Sequence, residues 1–144
     1  MTSEGIARDY LRRALGRREA LNALLTARLY ADVVRESQDV VELVLKGALR
    51  FVGVEPPKRH DVHGVMVQFI DRFPPEWRQA LDELEDDLGE LARDRAPAFY
   101  GDEERGIPAS DLFGEEAARQ AIGIADRLLA MYERLLGAVG EAGP

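Results

Sequence analysis

The two histidines of the chain, His60 and His63, are the residues best suited to acid–base chemistry, and Asp61 lies between them. An imidazole titrates near neutral pH and can act as a general acid or a general base. No partner at catalytic spacing is visible, which favours a structural role for both histidines over a catalytic one. The chain has no cysteine, and two histidines can hold zinc only with help from carboxylates. We therefore expect no metal and no cofactor.

A second set of polar residues recurs at steps of three and four, which places them on one side of a helix. We call this set the polar seam, and it consists of Arg35, Gln38, Asp39, Glu42 and Lys46. It could present a cation and a carboxylate to a nucleotide or to a partner. The alternative is an ion-paired helix surface, in which a pair such as Glu42 and Lys46 is worth only a few tenths of a kcal/mol.

Two further groups could contact nucleic acid. An aromatic residue among arginines suits single-stranded RNA, because bases stack on rings and phosphates need cations; this group contains Arg93, Arg95 and Tyr100. The second group is a run of arginines near the start of the chain, which could hold phosphates through bidentate contacts: Arg8, Arg12, Arg13, Arg17 and Arg18. A charge match within the molecule or across a dimer is the favoured alternative for this run, with the acidic residues of 82–90 as partners.

The polar seam lies on the helix around which the fold should be organised. Apolar residues at helical spacing predict a helix over residues 30–52 that is covered on more than one side. Gly53 is a candidate for ending this helix, and Pro56-Pro57 prevents its continuation. The short loop that follows leads to His60 and His63.

The other elements complete a helical fold. We expect long helices over residues 4–26 and 75–96 and a short one over 62–73. A loop over 97–112 should precede a final helix that begins near Asp111 and ends at Gly137 or Gly140. The fold class predicted is all-α, an up-and-down antiparallel bundle of four long helices plus a short one, in a single domain over residues 1–144.

Composition narrows the function classes. The formal net charge of −8 argues against a dedicated binder of double-stranded DNA, which needs a broad basic surface. No apolar run approaches the roughly 20 residues that span a bilayer, so no membrane partner is expected. The first residues lack the apolar core of a signal peptide, and we expect a cytoplasmic protein.

A set of motifs in the middle of the chain resembles the HEPN domain family. These motifs are Ser37-Gln38, Val41-Glu42-Leu43, Leu45-Lys46, Gly53, Pro56-Pro57 and His60-Asp61. The resemblance implies a small helical bundle, and many such domains are encoded beside a minimal nucleotidyltransferase. In the ribonucleases of the family, an arginine is followed four to six residues later by a histidine, and sites paired across a dimer cleave RNA without a metal. Arg59 and His63 have only three residues between them, and the family motif usually lies in a later helix.

The function that the resemblance implies is a nucleotide- or RNA-associated binding subunit, expected as a homodimer and as one component of a toxin–antitoxin-like pair with a minimal nucleotidyltransferase. The polar seam, Arg93, Arg95 and Tyr100 are the candidate contact residues. One alternative is a metal-independent endoribonuclease that uses His60 or His63 with Arg59. The other is a dimerisation module that binds no ligand.

Overall fold

The computed structural model describes residues 2–142, and the side chains of residues 3–137. In this part of the chain there are seven α-helices and one short 3-10 helix (Ile70–Arg72), and no β-strand. The helices are α1 (Thr2–Thr26), α2 (Tyr30–Phe51), α3 (His63–Gln68), α4 (Pro75–Glu83), α5 (Glu85–Tyr100), α6 (Ala109–Leu112) and α7 (Glu115–Ala142). The expected all-α helical bundle is confirmed.

The helix α2 is the centre of the bundle, packing against α1, α7 and α5. Val33, Val40 and Val44 on this helix are completely buried, as are Ala48 and Leu49. Burial of each of these valine and leucine side chains favours folding by about 1.5–3 kcal/mol. The helix therefore holds its neighbours together through apolar contacts, while its one polar side carries the polar seam.

The end of α2 has the geometry expected for a helix that stops at a glycine. Gly53 has a φ of +84°, which only glycine adopts without strain. The N–H of Val54 donates to the carbonyl oxygen of Leu49 at 2.9 Å, and the N–H of Gly53 donates to that of Arg50 at 3.1 Å. These two bonds form a Schellman motif, and they turn the chain toward His60.

A close approach of α7 to α2 fixes the packing of three helices. Tyr132 on α7 is completely buried, and its hydroxyl donates a hydrogen bond to the carbonyl oxygen of Ala7 on α1. Its ring lies against Gly47 of α2, where a β-carbon would stand 2.7 Å from Tyr132 Cζ. Burial, and secondarily the neighbouring Tyr10, raises the pKa of the Tyr132 hydroxyl, so this group remains a hydrogen-bond donor.

The expected helix over 75–96 is interrupted once. Its apolar seam is buried as expected, through Trp77, Leu81, Leu84, Leu88 and Leu91. At Leu84, however, the backbone adopts φ −98° and ψ 4°, and the segment forms the two helices α4 and α5. The spacing of the leucines is compatible with either arrangement, so the pattern of apolar residues did not reveal the break.

The boundaries on either side of α5 and α7 also differ from expectation. The expected loop over 97–112 is shorter, because α5 includes Pro97 and continues to Tyr100, and α6 occupies four of its last residues. Pro97 lies in the last turn of α5, where it deprives the carbonyl oxygen of Arg93, four residues earlier, of its helical hydrogen bond, and the helix ends three residues later. The final helix begins at Glu115 rather than near Asp111, and it passes both Gly137 and Gly140 to reach Ala142. A glycine costs a helix only about 1 kcal/mol and does not by itself end it.

The short helix expected over 62–73 is present as α3 followed by the 3-10 helix, with Phe69 between them. Among the described residues, none of the helices combines the length and the apolar character that a membrane crossing requires.

Candidate functional site

The polar seam of α2 lies beside α5, and residues of the seam contact residues of α5 at two successive turns of the helices. The guanidinium of Arg35 stacks over the ring of Phe99, with its Cζ 4.5 Å from the ring centroid. One turn further along α2, Asp39 Oδ1 lies 3.7 Å from the guanidinium of Arg95. Because Arg95 lies one turn before Phe99, the two contacts form consecutive steps between antiparallel helices.

The helix α1 adds cations to the same surface. Arg17 donates a hydrogen bond of 3.3 Å to Glu36 and lies 3.9 Å from Asp39. The other arginines of α1 also pair within the molecule: Arg8 with Glu4, Arg12 and Arg13 with Asp9, and Arg18 with Asp126. The charge match within the molecule is therefore present, but its acidic partners differ from the expected residues of 82–90, where Glu83 instead pairs with Arg127.

A cleft of about 340 Å³ opens where α1, α2 and α5 meet. We call it the basic cleft, because four of its lining side chains are cations and two are carboxylates. Its lining consists of Tyr10, Arg13, Arg17, Asp39, Glu42, Leu43, Lys46 and Arg95. Three members of the polar seam therefore share one cleft with two arginines of α1 and one of α5.

Glu42 joins the basic cleft to His60. One carboxylate oxygen of Glu42 accepts a hydrogen bond of 3.0 Å from Lys46 Nζ, and the other lies 2.8 Å from His60 Nδ1. Gln38, which is only 2% exposed, donates from Nε2 to the backbone carbonyl of His60 at 3.3 Å. The loop after α2 is thus folded back onto the polar seam, and the seam and His60 share one surface.

His63 has a different environment from His60. Its Nε2 lies 2.9 Å from the carbonyl oxygen of Leu81, so this nitrogen is the donor, and the ring joins α3 to the end of α4. Asp61 accepts a hydrogen bond of 3.2 Å from the backbone N–H of His63, the first residue of α3. The exposed Arg59 contacts the backbone carbonyl of Asp61. The three candidate catalytic side chains therefore engage three different partners instead of converging on one point.

Arg93 and Tyr100 are at the margin of the site. Arg93 is exposed and lies two residues from Arg95 on α5, about 200° around the helix, so it does not reach the basic cleft. Tyr100 is 64% exposed, and its ring makes an edge-to-face contact with that of Phe99 at 4.7 Å between centroids. These two rings form an exposed aromatic pair next to Arg35.

Four residues were not anticipated as members of this site: Tyr10, Arg13 and Arg17 on α1, which line the cleft, and Phe99 at its margin. The signal for the residues of α1 was present, because 10, 13 and 17 are three and four residues apart and share one face. Nothing in the spacing alone indicated which face of α1 would lie against α2.

Within the described residues, no group of three or more histidine, aspartate and glutamate side chains is arranged to hold a metal ion.

Comparison with known families gives one match that covers most of the chain. The family model of the HEPN domain matches residues 7–135, a segment that contains every residue that lines the basic cleft. Comparisons with the curated proteins and with the solved structures give no match. Because the matched segment includes α2, the turn at His60 and most of α7, the chain belongs to the HEPN domain family.

Proposed function

We propose that this HEPN protein is a cytoplasmic nucleotide- or RNA-associated binding subunit that works as a homodimer beside a minimal nucleotidyltransferase, in a toxin–antitoxin-like pair. The observation that carries the proposal is the continuous surface from the aromatic pair Phe99–Tyr100, over Arg35 and Arg95, to Lys46 and Glu42.

The surface has the two kinds of group that single-stranded nucleic acid requires. Arg35 and Lys46 are eleven residues apart on α2, which corresponds to about 16 Å along the helix axis. One end of this surface offers the exposed rings of Phe99 and Tyr100, on which a base can stack. The other end offers the cations of the basic cleft, which can contact phosphate groups.

The family supports the same class of function. HEPN proteins are often related to nucleotides or RNA, and HEPN domains commonly dimerise. A homodimer would bring two copies of this surface into one assembly. Light scattering after size exclusion tests the dimer, and co-purification with the product of an adjacent nucleotidyltransferase gene tests the pair. A monomer, or the absence of such a gene, would contradict the corresponding part of the proposal.

Binding is tested by fluorescence anisotropy with a short labelled RNA and by thermal shift with nucleotides. A ligand present at 100 times its Kd raises the free energy of unfolding by about 2.7 kcal/mol, which is easily measured. The variant Tyr100→Ala should weaken RNA binding about tenfold, because base stacking on a ring is worth about 1–3 kcal/mol. Val67→Ala is the matched control, since Val67 on α3 is an exposed apolar side chain outside the surface. Equal binding by the wild type and both variants would contradict the proposal.

A second function, a metal-independent endoribonuclease, is favoured by one contact. Hydrogen bonding of His60 Nδ1 to the Glu42 carboxylate leaves Nε2 of the neutral ring as the acceptor, which is the arrangement of an oriented general base. Such a base could take the proton of a ribose 2′-hydroxyl. Incubation with total RNA in chelator tests this function: cleavage should be lost in His60→Ala and retained in His63→Ala. Intact RNA with the wild type would exclude it.

A further inference from the structure

The lining of the basic cleft has an excess of two positive charges in a chain whose formal net charge is −8. The cations come from three helices, with Arg13 and Arg17 on α1, Lys46 on α2 and Arg95 on α5. Bringing these like charges together costs electrostatic free energy, because the cations repel one another. The carboxylates of Asp9 and Glu36, which pair with Arg13 and Arg17 outside the lining, offset part of that cost, and an anion in the cleft would offset more of it.

The carboxylates in and around the cleft accept only some of the hydrogen bonds that its cations can donate. Asp39 lies 3.9 Å from Arg17 and 3.7 Å from Arg95, and Arg13 lies 3.9 Å from Asp9. These distances exceed the 2.7–3.2 Å of a normal N–H···O hydrogen bond. Two contacts are shorter, Arg17 with Glu36 at 3.3 Å and Lys46 with Glu42 at 3.0 Å.

The guanidinium of Arg95 is the least satisfied of these groups. Its Nε is buried and has no hydrogen-bond partner in the described part of the chain. Its terminal nitrogen has only the long contact to Asp39, and its side chain is 29% exposed at the cleft. A planar guanidinium with free donors suits a tetrahedral oxyanion, to which it can donate two parallel hydrogen bonds.

We propose that the basic cleft is a phosphate-binding subsite that holds the phosphate of a nucleotide, free or within an RNA strand, through Arg13, Arg17, Lys46 and Arg95. This inference rests on the proposed function and adds the place and the residues of phosphate contact. A phosphate dianion would balance the excess charge of the lining. The Asp39 and Glu42 carboxylates, which also line the cleft, hold Arg95 and Lys46 through ion pairs, and the hydroxyl of Tyr10, on the same face of α1 as Arg13 and Arg17, can donate to the ligand.

Titration calorimetry tests the subsite with three probes: inorganic phosphate, adenosine monophosphate and a short single-stranded RNA. The double variant R13Q/R17Q removes two cations of α1, and K46Q removes one from a different helix. R12Q is the matched control, because Arg12 is also on α1 but is 81% exposed and outside the cleft lining. Circular dichroism and thermal unfolding verify that each variant is folded.

We expect R13Q/R17Q and K46Q each to weaken the binding of adenosine monophosphate about tenfold or more, since hydrogen bonds to charged groups are strong. R12Q should bind as the wild type does. Comparable losses in R12Q and R13Q/R17Q would show a diffuse charge effect and would overturn the subsite, as would undiminished binding in both cleft variants.

The three probes separate this inference from the proposed function. Wild-type RNA affinity in R13Q/R17Q, together with a loss in Tyr100→Ala, would overturn the subsite and leave RNA binding intact. Binding of inorganic phosphate that depends on Arg13 and Arg17, without binding of nucleotide or RNA, would support the subsite and contradict the proposed function. Tighter binding of adenosine monophosphate than of RNA would identify the free nucleotide as the source of the phosphate.

Discussion

Gly47 and Tyr132 together set the distance between the two most buried helices of the bundle. The variant Gly47→Ala places a β-carbon 2.7 Å from Tyr132 Cζ and closer still to the hydroxyl oxygen, and neither the buried ring nor α2 has room to move. Overpacking of a buried site typically costs about 1–3 kcal/mol. We expect Gly47→Ala to lower the free energy of unfolding by about that amount, as measured by denaturant titration.

The control for this substitution is Gly16→Ala on α1, where a β-carbon would meet nothing within 4 Å. Alanine is favoured over glycine inside a helix, so Gly16→Ala should raise the free energy of unfolding by about 0.5–1 kcal/mol. The double variant Gly47→Ala/Tyr132→Phe should recover part of the lost stability, because the clashing oxygen is removed. A neutral or stabilising Gly47→Ala would mean that the close approach is absent in solution.

The surroundings of Asp94 on α5 oppose the ionisation of its carboxyl group. Burial raises the pKa of Asp94 above its ordinary value of 3.8, Glu90 raises it further, and Arg93 only partly compensates. A carboxyl with a raised pKa in the folded state destabilises the fold once it is ionised, and this cost is absent below the pKa of the unfolded state. Asp94→Asn should therefore increase stability at pH 7.

The pH dependence of that gain provides the measurement. The difference in melting temperature between Asp94→Asn and the wild type should shrink as the pH falls and should close below 3.8, because the wild-type carboxyl is then protonated in both states. A difference that stays constant from pH 7 to pH 3 would mean that the charge of Asp94 is not the cause.

At the scale of elements, α2 was the most predictable part of the chain. Its apolar residues repeat over six turns, and Gly53 with Pro56-Pro57 supplies two independent stop signals. Because the apolar periodicity and the stop signals agree, the sequence leaves little freedom in where α2 ends. Gln38, Glu42 and Lys46 lie on one side of α2, because their positions relative to one another depend only on the geometry of the helix that carries them.

The parts that were wrong depend on contacts between elements. Leu84 interrupts the helical segment that contains Trp77 and Leu88 without changing the face that either side chain buries. Pro97 lies at the start of the expected loop, but α5 continues through it for three residues, so the loss of one hydrogen bond to the carbonyl oxygen of Arg93 did not end the helix there. The contribution of Arg13 and Arg17 to the basic cleft depends on the rotation of α1 against α2, which periodicity does not specify.

The turn after α5 allows a direct test of the segment that was expected to be a loop. Gly101 has a φ of +75°, and a β-carbon there would stand 2.8 Å from the backbone nitrogen of Ala109 and closer still to the carbonyl oxygen of Ile107. Asp102 and Ile107 exchange two backbone hydrogen bonds of 2.8 and 2.9 Å just beyond it. Gly101→Ala should lower the free energy of unfolding by more than about 2 kcal/mol, from backbone strain and the clash together.

The variant Gly106→Ala measures the cost of the backbone strain without that of the steric clash. Gly106 has a similar φ of +69°, but nothing lies within 4 Å of the position of its β-carbon. This variant should lose only about 1 kcal/mol. Denaturant titration of both variants makes the comparison, and equal losses would mean that the backbone at Ile107 and Ala109 does not approach Gly101 closely in solution.

At the scale of the whole molecule, charge is distributed unevenly. Acidic side chains are concentrated over residues 82–90, at the end of α4 and in the first turns of α5, whereas the cations of the basic cleft face the junction of α1, α2 and α5. An acidic protein repels nucleic acid at long range, so binding has to depend on a small number of local contacts. The number of those contacts can be obtained from the dependence of the binding constant on the salt concentration.

Four cationic side chains line the basic cleft and Arg35 adds a fifth to the proposed surface, so a bound RNA strand should lose counterions at no more than about five phosphates. For single strands, the slope of log Kobs against log salt is about −0.7 for each neutralised phosphate, which predicts a slope no steeper than about −3.5. Removing one contact in K46Q should flatten the slope by about 0.7, whereas R12Q should leave it unchanged. Anisotropy titrations between 50 and 200 mM salt measure these slopes. A slope steeper than about −5 would require an extended basic surface, which an acidic monomer lacks, and would place the RNA where cations of two copies of the chain meet.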